Sequence, residues 1–264
     1  MIFQFGREIW NSRAIVNKLA LTEIRKKYLG SYLGIFWAFA QPVITIFIFW
    51  FVFELGFKAT PVEDFPFLLW ISAGMVPWFF ISEALLSATG CILEQKFLVD
   101  KIKFRISMLP LIKILGLFYI HLFFLIFLIA IFSIYGYWPD VYLLQLPYYL
   151  LCTWVLVAGI TWATSSLVLF AKDMREVVSI CVQFGFWLTP IFWPLSILPE
   201  RYHSLVMASP LYYIIRGYRE SFIHKVWFWQ HPEAMVRFWI PTLAILFFGI
   251  FIFRKLRPHF ADVI

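Results

Sequence analysis

The chain has 264 residues, 62% of them hydrophobic and only 14% charged, with a net charge of +7. A soluble domain is roughly half apolar, so a single aqueous core cannot hold this much apolar surface, and the bilayer is its natural solvent. The mean hydropathy of +0.84 agrees. The basic excess flanks apolar runs, so topology and anionic lipid explain it better than a nucleic-acid partner, and none is expected.

Residues 1–30 are mixed, with Arg7, Arg13, Lys18 and the cluster "EIRKKY" at Glu23–Tyr28. Val16, Leu19, Ala20 and Ile24 share one helical face, on which Glu23 and Lys27 intrude. An interfacial amphipathic helix is expected, with a solvated basic tail as the alternative. Arg7 and Glu8 stand where a signal peptide would stay apolar, so no cleaved signal is expected. Apolar runs follow at Leu33–Phe53, Phe67–Ala88, Leu109–Ile134, Pro147–Phe170, Val177–Trp193 and Phe238–Phe253. They are continuous rather than alternating, which favours helices over barrel strands. The expected fold is an all-α membrane protein of six transmembrane helices in one domain over residues 1–264. The fifth run is marginal, because Pro190 and Pro194 interrupt its far end. Lys and Arg are concentrated in alternate loops, which places both termini in the cytoplasm.

The inner loop "LEQKFLVDKIKFRISMLP" repeats Val99, Ile102 and Ile106 at helical spacing. Lys96, Asp100, Lys101, Lys103 and Arg105 are interspersed. A short cytoplasmic helix within residues 91–107 is expected, either docking a partner or resting on headgroups. A smaller inner loop, "KDMREV", is Lys172–Val177. Inside the spans, Gln41, Glu83, His121 and Gln183 are polar and each needs a reason. For Glu83 the readings are a pair across helices, snorkelling to headgroups, or a substrate or gating role. Aromatics crowd the first, second and fifth spans. Trp37, Phe39, Trp78, Phe79 and Trp187, with Glu83, are candidates for lining a channel. Their rings pack helices, face lipid or stack on the apolar faces of sugars.

No persuasive catalytic cluster stands out in the sequence. It holds no G-x-x-x-x-G-K-[ST], no H-E-x-x-H, no G-x-S-x-G and no cysteine–histidine metal pattern. Cys91, Cys152 and Cys181 stand in apolar surroundings and read as small hydrophobes. No enzyme activity and no cofactor or metal of its own is expected.

The segment "PIFWPLSILPERYHSLVMASPLYYIIRGYRE", Pro190–Glu220, is too apolar for a loop and too proline-broken for a span. Pro199 sets up a first helix carrying Tyr202, Leu205 and Val206 on one face. Ser209 and Pro210 open a second, with Ser209 as N-cap. Leu211, Ile214, Ile215, Tyr218 and Phe222 form its apolar stripe, and Arg216 and Glu220 an i,i+4 pair. A re-entrant hairpin over residues 194–224 is expected on the outer side.

Three stretches resemble one family. "LTEIRKKYLGSYLGIFWAFAQPV", Leu21–Val43, is similar to a charged helix running into "YLG..W....P"; the others are "LTPIFWPLSILPERY" and "ASPLYYIIRGYRE". Together they resemble the permease subunit of ABC-type polysaccharide exporters for O-antigen, capsular polysaccharide or teichoic acid. Ala208–Ser209 stands where Asn is commoner before the proline. The resemblance implies a homodimer in the bacterial inner membrane, with two copies of a separate ATPase binding ATP and Mg. It implies a lipid-linked polysaccharide substrate on an undecaprenyl-diphosphate carrier, among membrane lipids. Glu94, Lys96, Asp100, Lys101 and Lys103 would then couple to the ATPase, with Asp173 and Arg175 as a second contact. Arg25, Lys26 and Lys27 would meet the lipid headgroup, unless they serve only as positive-inside anchors. Tyr202, Leu205, Tyr212, Arg216, Arg219 and Glu220 would belong to the external gate. A permease for drugs or small lipids and a membrane enzyme acting on a lipid-linked sugar are the alternatives.

Overall fold

The computed structural model describes residues 13–27, 29–58, 65–95 and 106–260. In chain order the helices are α1 (Arg13–Lys27), α2 (Phe36–Trp50), α3 (Phe67–Thr89), α4 (Cys91–Glu94) and α5 (Leu109–Ile134). They continue with α6 (Leu146–Leu167), α7 (Met174–Leu188), α8 (Glu200–Met207), α9 (Pro210–Arg219) and α10 (Pro232–Leu256). Among the described residues every regular element is helical. Pro110, Pro147, Pro210 and Pro232 stand in the first turns of α5, α6, α9 and α10. The fixed φ of proline suits that position, and its missing N–H is one the helix would not use.

Five helical stretches are long and apolar enough to cross a membrane: Phe36–Gly56, Phe67–Thr89, Ile106–Ile134, Val141–Leu167 and Pro232–His259. The expected fifth span is shorter than the sequence suggested. Helix α7 stops at Leu188, and Thr189 is extended. Pro190 pushes its predecessor out of the helical region. At 1.5 Å per residue its 15 residues reach roughly 22 Å, against ~30 Å of hydrocarbon.

Helix α3 is the hub, packing on α2, α5, α6, α7 and α9. Of its most apolar window 78% is buried, against 11% for the α2 stretch, so α2 is an outer wall. Trp70, Ile71, Met75 and Ile81 fill the centre. The most extensive helix pair is α6 with α10. There Gly159 faces Gly249, and a side chain on Gly249 would run into the Gly159 carbonyl. Lipid tails are as apolar as leucine, so such close backbone contact replaces the hydrophobic drive between helices.

The apolar stripe read on α1 is real, and it lies on a protein surface. Val16 and Ala20 pack against Met108 and Ile112 at the start of α5. Tyr119 donates to the Asn17 side chain across the same contact, at 3.2 Å.

Candidate functional site

Two polar clusters lie at opposite ends of α3. At the α1 end, Lys113 reaches Glu23 at 2.5 Å and Glu94 at 3.0 Å. Arg175, at the start of α7, lies 3.8 Å from the other Glu94 oxygen and donates to the Gly90 carbonyl. Gln95 donates to Glu23 at 2.9 Å, and Lys26 stands 3.4 Å from the same oxygen. Glu23, which seemed to spoil the apolar arc of α1, is thus the acceptor that ties α1 to α5. Glu94 and Arg175, expected in two separate contacts, are brought together. Asp173 and Arg25 are exposed. Lys96, Asp100, Lys101, Lys103 and the Lys27 side chain lie outside the described residues.

From this cluster a cavity of about 400 Å³ runs between α1, α3 and α5, past Lys26, Glu83 and Ser87. It adjoins a second, of about 240 Å³, lined by Trp37, Gln41, Thr45, Phe79 and His121. Glu83, Leu117 and Ile120 border both. Of the candidate lining residues, Trp37, Phe79 and Glu83 meet here. The others lie elsewhere. Phe39 packs on Phe123 with ring centres 4.3 Å apart, and Trp78 is buried against Phe186. Trp187 is exposed on α7 beside Phe192.

At the hairpin end, α8 and α9 form where the sequence placed them. Ser209 occupies the N-cap position, although its side chain caps nothing. Helix α9 is docked by its tyrosines. Tyr218 pairs with His121 of α5 at 2.8 Å, and Tyr213 with Tyr148 of α6 at 3.0 Å. The expected Arg216–Glu220 pair forms at 2.7 Å. Glu220 also accepts from the Tyr149 hydroxyl at 3.1 Å. Burial pushes the Tyr212 phenol above its ordinary value, against the pull of the Arg216 and Arg219 charges.

Arg219 has a role the sequence did not suggest. Only 6% exposed, it donates to the Pro190 and Ile191 carbonyls at 2.6 Å each. Its guanidinium lies 3.5 Å over the Trp70 ring. Gly74 makes room, since a Cβ there would stand 2.8 Å from Nη2. The planar fork satisfies both carbonyls where the chain leaves α7 and no helix can. Tyr202 and Leu205 remain exposed on α8, which packs on α9.

Beyond the expected set, the structure adds Glu23, Lys113, Tyr149, His224 and His231. A charge on an apolar stripe was a readable signal for Glu23; the histidines gave none. His231 stands 3.9 Å from Glu220, and both histidines border a cleft of about 430 Å³ with Trp70, Tyr212 and Arg216.

An O-antigen export system permease protein (RfbA) of Myxococcus xanthus is 23% identical over 261 residues, covering 98% of each chain. One from Klebsiella pneumoniae is 24% identical over 245 residues, 92% of each. The polysialic acid transport protein (KpsM) of Escherichia coli is 22% identical over 248 residues, 92% of this chain and 93% of its own. The family model described as ABC-2 type transporter matches residues 17–223. That span holds the ion network, the paired cavities and the docked hairpin, and the chain belongs to the ABC-2 type transporter family.

Proposed function

We propose that this chain is the membrane half of an ATP-driven exporter that moves lipid-linked O-antigen polysaccharide across the bacterial inner membrane. The end-to-end correspondence with O-antigen export permeases carries the proposal, since it covers 98% of both chains. Six crossings, with the short α7 as the fifth, put both termini in the cytoplasm. The cluster around Lys113 is then cytoplasmic, and α8 and α9 form a re-entrant hairpin on the outer side. Residues 91–107 and the Lys172–Glu176 turn meet a separate ATPase, which binds ATP and Mg. Arg25 and Lys26 lie beside the path by which an undecaprenyl-diphosphate head arrives.

The exposed side of α7 supports a second copy of the chain. Glu176, Ser179, Gln183 and Trp187 recur at helical spacing and are all exposed. A polar row facing lipid is costly. Two copies turning these rows toward each other enclose a polar path with an aromatic mouth. The single domain carries its external gate on α8, with Tyr202 and Leu205 at the moving edge and α9 as its fixed seat.

The test is a clean deletion in the host, complemented by the wild-type gene. Lipid-linked polymer should accumulate inside the cell and disappear from the surface. Loss of polymer synthesis would instead identify an enzyme, and robust ATP hydrolysis by the purified chain alone would refute the subunit assignment. Similarity to the polysialic acid transport protein favours capsular polysaccharide as the second substrate class. The chemistry of the stalled polymer decides between them.

A further inference from the structure

The cleft of about 430 Å³ at the hairpin end lies within one protomer, between the start of α3, the Pro190–Leu195 segment, α9 and the start of α10. Its rear wall is buried. Arg219 is held by two carbonyls and by the Trp70 ring, and Glu220 by Arg216 and Tyr149. The mouth is more exposed. Arg216 gives its Nε to Glu220, yet its side chain is 32% exposed, and a guanidinium carries five N–H groups. The Tyr212 hydroxyl lies beside it. His224 is exposed and the His231 side chain is 44% exposed, both at the same rim.

Two guanidiniums stand against one carboxylate, so the cleft carries one positive charge in excess at neutral pH. Its rim offers a planar fork, a phenol and two imidazoles. A planar fork recognises a carboxylate in two-point fashion. The phenol and imidazoles suit hydroxyl groups, which both donate and accept. The shared chemistry is a hydroxyl-bearing anion of small size. We propose that this cleft is a binding site for one acidic sugar unit, a hexuronate, of the chain leaving the exporter. Arg216 would take the carboxylate, and Tyr212, His224 and His231 the ring hydroxyls. This rests on the export function proposed above. It adds a substrate preference at a place away from the α7 face that the second copy would cover.

An anionic lipid headgroup such as phosphatidylglycerol offers similar chemistry, and the experiment separates the two. The protein is placed in nanodiscs of phosphatidylcholine, and saturation-transfer NMR is recorded with galacturonate and with galactose. Galacturonate should receive several-fold more transfer than galactose. Arg216→Gln should abolish the difference. His231→Gln and His224→Gln, at the exposed rim, should each weaken the signal several-fold without disturbing the fold. They carry the test if Arg216→Gln is poorly folded. Equal transfer to both sugars, or transfer untouched by the rim variants, overturns the site. So does displacement of galacturonate in discs doped with phosphatidylglycerol, which would make it a lipid site. Export in the complemented deletion strain is scored separately. Export without uronate binding refutes the cleft assignment alone, and binding without export refutes the exporter alone.

Discussion

At the scale of single residues, Arg219 illustrates how a membrane protein uses a charge as mortar. Replacing it by leucine strands the Pro190 and Ile191 carbonyls, each a buried acceptor whose loss costs about 1–3 kcal/mol. Arg219→Leu should therefore lower the melting temperature in micelles markedly. Arg219→Lys should recover only part of it, because an ammonium cannot reproduce the two-pronged geometry. An undiminished melting temperature in Arg219→Leu would dismiss the clasp. Cysteine reactivity offers a gentler probe. Burial pushes the Cys91 thiol well above its ordinary value, and Cys181 is exposed. A membrane-permeant maleimide at pH 8 should modify Cys181 first and leave Cys91 intact, as read by mass spectrometry.

At the scale of elements, the two hairpin helices should behave unlike each other. Helix α9 buries Ile214, Ile215 and Tyr218 and bonds to α5 and α6, whereas α8 leaves Leu205 74% exposed. Amide exchange should be fast over residues 200–208 and slow over 210–219, since local opening follows the contacts that hold an element. Equal protection of both would refute a moving α8 on a fixed α9. The sequence foresaw the helices themselves well. The run Leu109–Ile134 matches α5 end to end, and the proline at 210 opens α9. Apolar length and proline are local signals, which one stretch of chain carries alone. The clasp and the ion network are not local. Gln95 and Glu23 are 72 positions apart, and Tyr149 and Glu220 are 71. Such pairings appear only once the helices are stacked. The far end of α7, marginal in the sequence because Pro190 and Pro194 interrupt it, does stop short at Leu188; hydropathy alone would have carried the run through the prolines.

At the scale of the whole molecule, Lys113 joins α1, α4 and, through Glu94, α7. If a partner pushes on the segment after α4, this chain of charges carries the movement to both α1 and the wall of the path. Lys113→Gln should reduce export with assembly intact. A cycle combining it with Glu23→Gln should show an interaction energy of about 0.5–3 kcal/mol. Simple additivity in that cycle would remove Lys113 from the relay. For the second copy, Gln183→Cys in a background lacking the native cysteines should react with a water-soluble maleimide in the assembled transporter. Refusal to label would place the α7 row in lipid instead of along a polar path.

With α7 as the fifth crossing of the proposed topology, its brevity has a consequence for the surrounding lipid. A helix of roughly 22 Å beside neighbours long enough for a ~30 Å core leaves an apolar deficit of roughly 8 Å. Lipid accommodates a short span by thinning or by drawing polar flanks inward. The proline break and the Arg219 clasp fix that deficit in the architecture, so it does not relax by helix extension. If α7 is the fifth crossing, as proposed, the insulating layer is narrowed beside it, and a hydrophilic polymer crossing there meets a shorter dielectric barrier than beside the longer helices.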